Sequence, residues 1–546
     1  MSEVTIFVLV AGAVAVTAIA RRYGWPSHLV VLAVGLAVSF VPAVPRIEVN
    51  PHVLLELVLP PLLYSASLTS SYQDFRASLN SITRLGVGLV LATAAAVALV
   101  ASWLIPGLPL SAALVLGAVV APPDAVAATA VGRRLGLPRR TTTVLTGESL
   151  INDATSLTLY KVALAAVSTG ATALTDGLGV FAVAVVAGVG CGLAVGVVVH
   201  RVRVQLDDAV VASALGLLTP FAAYWGAEQI GGSGVLAVVA AGLYLGHSSP
   251  EAGYATRLYE GPIWSTFDLV LESFTFALIG VQLPWVVRDV IAADQGVRTA
   301  VLAAFAVLAT AVAIRPLYVF ATAWVDNVRL PGSHRPPRDS LSTRESAVVS
   351  WAGMRGVVTL AAAAAIPVTS GTTPFPARAT LQLVAYGVAI GTLLMQGLSL
   401  PWVIRALGLG AAEDAARDAS QEAGLRVLTN RAAAEVLRTR SDMLARAVGA
   451  EAAERITRGL TRAIEQRGRA VASALDPSSG PEHGLPDALE HGRRLQQLRR
   501  ETVQAQRVVL MRERDAGRVD EVVMRRMLRE LDLEEEQLSS SWLNRV

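Results

Sequence analysis

Four polar residues stand close together in an otherwise apolar stretch: Glu148, Ser149, Asn152 and Asp153, within Gly147-Glu-Ser-Leu-Ile-Asn-Asp-Ala154. On a helix, Ser149 and Asp153 are four apart and share a face. Glu148 and Asn152 share the neighbouring face by the same spacing. One stripe offers a hydroxyl and a carboxylate, the other a carboxylate and an amide. These are hard oxygen donors, suited to Na⁺, Li⁺ or K⁺ and poorly suited to a soft metal. An apolar, partly dehydrated surrounding disfavours a bare carboxylate against its protonated form. Asp153 would then hold a proton when no cation is bound, and the two ions would compete for one group. The competing reading is a hydrogen-bonded cluster that only joins helices.

Two further stretches carry polar groups where they are expensive. In Ala121-Pro-Pro-Asp-Ala-Val126, two prolines inside a helix remove two amide donors and interrupt the ladder. The freed carbonyls, that of Pro123 among them, and the ends of the half-helices can meet a cation, with Asp124 at the break. The plainer alternative is a proline hinge with a hydrated carboxylate. In Trp351-Ala-Gly-Met-Arg-Gly-Val357, Gly353 and Gly356 weaken the helix and Arg355 falls near mid-span. A buried guanidinium without a partner is costly, so Arg355 needs a carboxylate, with Glu148 the first candidate; a water-filled funnel around it is the alternative. Glu272 either lines such a funnel or packs. Lys161 is expected to snorkel outward, and Arg315 to snorkel or pair. His200 and His247 lie at helix ends and read as interfacial residues.

These groups must be held by helices in a membrane. Of 546 residues, 53% are hydrophobic and only 16% charged, against about 25% charged in an average globular protein. From Leu407 onward there are 23 acidic and 23 basic residues, so about half of all charges fall in the last quarter of the chain. The reading is an all-α polytopic membrane domain over 1–407, followed by a helical tail over 408–546. Spans of about 20 apolar residues fit thirteen times: roughly 4–20, 27–43, 51–68, 85–105, 110–132, 141–167, 177–199, 208–228, 232–247, 263–284, 299–325, 345–367 and 379–406. With the N-terminus outside, fifteen arginines fall in cytoplasmic loops and four, Arg46, Arg288, Arg298 and Arg378, in external ones. That bias favours this orientation and a cytoplasmic tail.

Other classes are weakened in the same way. A net charge of +3 gives no case for nucleic acid, and the one cysteine, Cys191, excludes an internal disulfide framework. The first apolar stretch has an acidic start and is followed by Arg21 and Arg22, so it reads as a first span rather than a cleavable leader. The spans contain no nucleophile–base pair or metal-ligand set of the kind an enzyme needs, and no cofactor is implied. In the tail, Leu425, Val427, Leu437 and Leu444 have helical spacing, 476–481 reads as a break, and Val508 to Leu538 as a further helical segment. A hairpin, a coil for a cytoplasmic partner or self-association, and a sensing role all stay open.

Taken together, these stretches resemble the monovalent cation:proton antiporter-1 family, which includes bacterial and eukaryotic sodium/proton exchangers. The resemblance covers about residues 1–407. It rests on 121–127, 147–154, Leu271-Glu-Ser-Phe-Thr-Phe-Ala-Leu-Ile-Gly-Val-Gln-Leu283 and 351–358. It implies thirteen helices in two inverted repeats, with broken helices 5 and 12 crossing in a core over about 85–167 and 299–406. The helices over about 1–68 and 177–284 would form a scaffold and a homodimer interface. It implies Asp153 as the ion- and proton-carrying carboxylate, with Asp124, Ser149 and the Pro123 carbonyl as further ligands, and Glu148, Asn152 and Arg355 as braces. Asn152-Asp153, where electrogenic relatives have Asp-Asp, implies electroneutral Na⁺/H⁺ antiport in the cell membrane, with K⁺/H⁺ antiport or a channel as alternatives. Two positions depart from the pattern: Pro123 stands where many members have Thr, and Ser65 where some have Glu.

Overall fold

The computed structural model describes residues 3–409 except 42–53, 125–127, 130, 133–134, 170–173, 207, 252–253, 293–295, 329–340 and 371–372. Beyond 409 it describes scattered helical residues from 446 onward. The chain divides into two compact units, Met1–Gly410 and Ala411–Val546. Among its described residues, the regular elements of the first unit are helices and one small antiparallel pair, Thr369–Ser370 with Thr373–Pro374. Its helices are α1 (Glu3–Arg22), α2 (Ser27–Val38), α3 (Leu59–Leu68), α4 (Tyr72–Ala77), α5 (Leu79–Thr83), α6 (Val90–Leu104) and α7 (Leu110–Val120). They continue with α8 (Arg139–Thr169), α9 (Leu174–Gln205), α10 (Ala209–Gln229), α11 (Gly234–Ser248), α12 (Tyr254–Ile291) and α13 (Val297–Val328). The series ends with α14 (Thr343–Trp351), α15 (Val357–Ala364), α16 (Arg378–Thr392) and α17 (Leu398–Ala406).

Among the described residues, seven helical stretches are long and apolar enough to cross a membrane: α1, α5 with α6, α9, α10, α12, α13, and α16 with α17. Three shorter apolar helices, α2, α7 and α11, accompany them. α8 is absent from the seven for a physical reason: Glu148, Asn152, Asp153 and Lys161 lower its apolar character along its length. Outward faces are apolar, with Phe7, Trp103, Val186, Phe305 and Trp402 exposed, which suits a body surrounded by lipid rather than water.

Helices sort by packing into two neighbourhoods. α6, α7, α8, α13 and α16 pack against one another, and α1, α2, α3, α9, α10, α11 and α12 form the other group. Lipid gives no hydrophobic drive between helices, so close approach matters. α2 and α12 meet at Gly35 and Gly280, where an added Cβ on Gly35 would sit 2.7 Å from Ala277 O and one on Gly280 would strike Leu32 O. Thr17 and Ser273 hydroxyls, 2.7 Å apart, tie α1 to α12. In the second unit, described residues are helical, with an Arg458–Glu454 ion pair at 3.2 Å. The expected break at 476–481, Leu425, Val427, Leu437 and Leu444, and most of Val508 to Leu538 lie outside the described residues. So do loop arginines 46, 133, 134, 329, 335 and 338.

Gly280→Ala should therefore destabilise the membrane unit by about 1–3 kcal/mol through overpacking, read as a lowered thermal midpoint in detergent. Gly12→Ala, whose added Cβ meets nothing within 4 Å, should be neutral or stabilising. Equal midpoints for the two variants would contradict this packing.

Candidate functional site

The site is built where two helices stop. Pro122 and Pro123 have no amide hydrogens for Ala118 and Val119, so α7 ends at Val120. The Ala121 N–H still reaches Gly117 O at 2.9 Å. Beyond that, the released groups find partners on other elements. Ser156 Oγ of α8 donates to Ala118 O at 2.8 Å. Arg355 Nε donates to Val120 O at 3.0 Å, and Asn152 Nδ2 to Pro123 O at 2.8 Å. The Asp124 N–H donates to Met354 O at 2.6 Å.

Met354 belongs to the second break, between α14 and α15. Here the Arg355 N–H donates to Thr392 Oγ1 at 3.1 Å. The Arg355 guanidinium donates to Gly353 O and, at 3.5 Å, to Ala311 O. Gly353 is required by crowding: a Cβ there would lie 2.7 Å from Arg315 Cδ and 3.3 Å from Arg355 Nη1. Gly356 is required too, because its missing Cβ would overlap the Asp124 carboxylate. Asp124 thus sits against the first residues of α15, where the helix end carries partial positive charge.

One expected pairing is corrected. The sequence reading gave Glu148 to Arg355; the structure gives it to Arg315 of α13. Arg315 Nη2 donates to Glu148 Oε2 at 2.7 Å and Nη1 to Oε1, while Nε donates to Val349 O at 2.8 Å. Both side chains are only 2% exposed. The planar guanidinium matches a carboxylate in two parallel bonds. Arg355 needs no carboxylate, because the interrupted helices leave carbonyls that accept its protons.

Asp124, Ser149 and Asp153 line one side of a cavity of about 400 Å³. Asp153 is 5% exposed, and its carboxylate feels the like charge of Asp124. A cation or proton near them relieves that repulsion. The opposite wall comes from α2, α3 and α12, with His28, Ser65, Glu260, Asp268 and Glu272. His28 Nε2 lies 3.2 Å from Glu272 Oε2, Glu260 pairs with Arg203, and Ser65 Oγ donates to Asp268 Oδ2 at 2.6 Å. The structure thus brings Asp153, Asp124, Ser149 and Glu272 to one space. Asn152 and Pro123 hold each other beside it, and Asn152 Oδ1 is buried without a hydrogen-bond partner among the described residues. Glu148 and Arg355 do not line the cavity. Lys161 is not free: it meets Glu228 of α10 at 2.6 and 2.7 Å.

Sequence reasoning missed His28, the Ser65–Asp268 contact and the Arg203–Glu260 pair. They come from helices far apart in the chain. Only the four-residue spacing of Asp268 and Glu272 signalled a shared face. Among the described residues, no group of three or more His, Cys, Asp or Glu side chains converges as a multivalent metal centre would need. The donors that α8 and the end of α7 give to the cavity, the carboxylates of Asp124 and Asp153 and the Ser149 hydroxyl, are hard oxygens of the kind that suit an alkali ion and a proton.

Comparison with known proteins agrees in kind. The model of the transmembrane sodium/hydrogen exchanger family matches residues 6–406. An uncharacterized Na⁺/H⁺ exchanger from Mycobacterium bovis is 34% identical over 539 residues, 98% of this chain and 96% of the relative. A sodium, potassium, lithium and rubidium/H⁺ antiporter of Bacillus pumilus is 30% identical over 387 residues, 69% of this chain and 57% of that one. The solved structure of the sodium proton antiporter MjNhaP1 from Methanocaldococcus jannaschii at pH 8 aligns with a TM-score of 0.58 at 18% identity. The alignment covers 74% of this chain and 97% of that one, a likeness of fold.

Removing one member of the Glu148–Arg315 pair leaves a charge buried and alone. Glu148→Leu should cost about 3–5 kcal/mol, whereas Glu148→Leu with Arg315→Met should cost much less than the sum of the singles. A double-mutant cycle on detergent-solubilised protein measures this. Additive losses would show that the two side chains are not coupled.

Proposed function

Because this chain belongs to the sodium/hydrogen exchanger family, whose members are membrane transporters and not enzymes, we propose that it exchanges Na⁺ for H⁺ electroneutrally by alternating access. The observation that carries the proposal is the shared cavity: Asp153, Asp124 and Ser149 face one space at the meeting of two interrupted helices. Asp153 takes either the cation or the proton. Asp124 and Ser149 complete the cation's oxygen shell together with the free lone pair of the Pro123 carbonyl. Asn152 contributes no charge, and its amide fixes that carbonyl. Arg355 and the Glu148–Arg315 pair brace the crossing without touching the ion.

The movement follows from solvation. A bare carboxylate is costly to carry through a low-dielectric barrier, so the cation-loaded and proton-loaded forms move and the empty, ionised form does not. The α6, α7, α8, α13–α17 group would be the moving core. The α1–α3 and α9–α12 group would be the scaffold, which also provides a homodimer interface. Thirteen spans in inverted repeats account for the chain when α3, α8 and α14 with α15 are added to the ten apolar stretches. With the N-terminus outside, the cavity runs from Asp153 toward Thr69 and Glu260, at the cytoplasmic ends of α3 and α12, an inward-facing arrangement. Lys161 and Glu228 would then join core to scaffold on the external side. The tail lies in the cytoplasm, where it would serve regulation of pH homeostasis. Potassium as the exchanged ion is the second reading, favoured by the Bacillus pumilus relative, whose name includes it.

Asp153→Asn should reduce cation-driven proton flux in proteoliposomes to the leak of protein-free vesicles, for Na⁺, Li⁺ and K⁺ alike. Wild-type flux with each ion, followed by an enclosed pH-sensitive dye, ranks the substrates. Flux above the leak from the Asp153→Asn protein would refute the assignment of the carrier group.

A further inference from the structure

The described ion pairs sort by what they join. Glu148–Arg315 lies within the core group of helices, α8 with α13. Arg203–Glu260 and His28–Glu272 lie within the scaffold group. Lys161–Glu228 crosses from α8 of the core to α10 of the scaffold, with Nζ 2.7 Å from Oε1 and 2.6 Å from Oε2. Its scaffold end is fixed. Glu228 Oε1 also accepts the Gly234 N–H of α11 at 3.1 Å, and the Ser233 N–H at that corner donates to Ala184 O of α9 at 2.8 Å. Its core end is suited to release. Lys161 is the only lysine among 46 basic side chains. An ammonium on a flexible stem makes and breaks contacts without the planar alignment that a guanidinium needs. The pair also stands past the closed end of the cavity, whose lining residues on α8 are Thr146, Ser149, Leu150 and Asp153. Leu157, one turn on, is only 8% exposed. Lys161 follows on the same face after another turn, about 12 Å beyond Asp153 at the helical rise.

We propose that Lys161 and Glu228 form a latch between core and scaffold, closed in the inward-facing form and opened each time the core moves. This rests on the exchange reading above and names a conformational control of the same site. Sliding of one group of helices past the other leaves the pairs inside each group intact and parts the pair that crosses. The stripe Asp153, Leu157 and Lys161 then faces the outer path. The side chains of Lys161 and Glu228 are 55% and 30% exposed, and an exposed ion pair changes an equilibrium by up to about fivefold. The latch therefore biases the protein toward the inward-facing form without trapping it. A contact made in one form and lost in the other is what shifts the populations of the two.

The test uses the full chain with Cys191→Ala and Leu157→Cys, so that one thiol reports the outer path. Its rate of alkylation by a maleimide in detergent should rise about two- to fivefold when Glu228→Gln or Lys161→Met is added. It should return to the starting rate when Lys161→Glu and Glu228→Lys are added together. A second measurement asks whether the pair must part. Lys161→Cys with Glu228→Cys, again in Cys191→Ala, is reconstituted in proteoliposomes and bridged by a reducible bifunctional thiosulfonate. Cation-driven proton flux should be present before bridging, stop when the bridge forms and return on reduction. Equal alkylation in all variants, absent flux before bridging, or flux that continues through the bridge would each overturn the latch. Failure of the exchange reading looks different: wild type itself would show no cation-driven proton flux.

Discussion

Backbone groups in a membrane have no water to fall back on, so a helix that stops inside one must find partners for its ends. Every feature of the site follows from that constraint. α7 is interrupted by two prolines and the α14–α15 helix by two glycines, and each break supplies what the other lacks. Asp124 gives its amide to Met354, and Arg355 returns its guanidinium to Val120. Side chains from α8, Asn152 and Ser156, close the carbonyls that remain within reach. The cost of two broken helices is met by a lattice of cross-bonds, and that lattice places Asp124 where a straight helix would not.

The same lattice separates charges by task. Glu148 and Arg315 cancel each other in a dry bidentate contact. Arg355 is spread over carbonyl dipoles instead of being neutralised by a carboxylate. Asp124 and Asp153 are left facing the cavity with each other's charge. With Glu148 and Arg355 satisfied elsewhere, Asp124 and Asp153 are the acids that α8 and the end of α7 present to the cavity. This division accounts for a helix that carries four polar residues yet devotes one face to the cavity and the other to bracing.

Much of this was legible in the residues themselves. The four-residue spacing in α8 separates Ser149 and Asp153 from Glu148 and Asn152, and the structure puts the first pair on the cavity and the second off it. Pro122 and Pro123 announced the break because proline lacks a donor. What spacing could not tell was which of two arginines would meet Glu148. Arg315 lies 167 positions away, and only the packing of α13 against the second break brings it there. The wall opposite was equally hidden. His28, Ser65 and Asp268 come from three helices: glycines at 35 and 280 let α2 and α12 approach, glycines at 242 and 246 let α11 approach α3, and nothing local in the sequence says that those helices touch.

In the proposed exchange, one carboxylate is held in turn by a proton and an alkali cation. Calorimetric titration of Na⁺ into detergent-solubilised protein, repeated in buffers of different ionisation enthalpy, counts the protons released as the cation binds. Because a ligand group must lose its proton to take a metal ion, the release should approach about one proton per cation as the pH is lowered into the range where the site is protonated. Saturable binding with no proton released at any pH would contradict it.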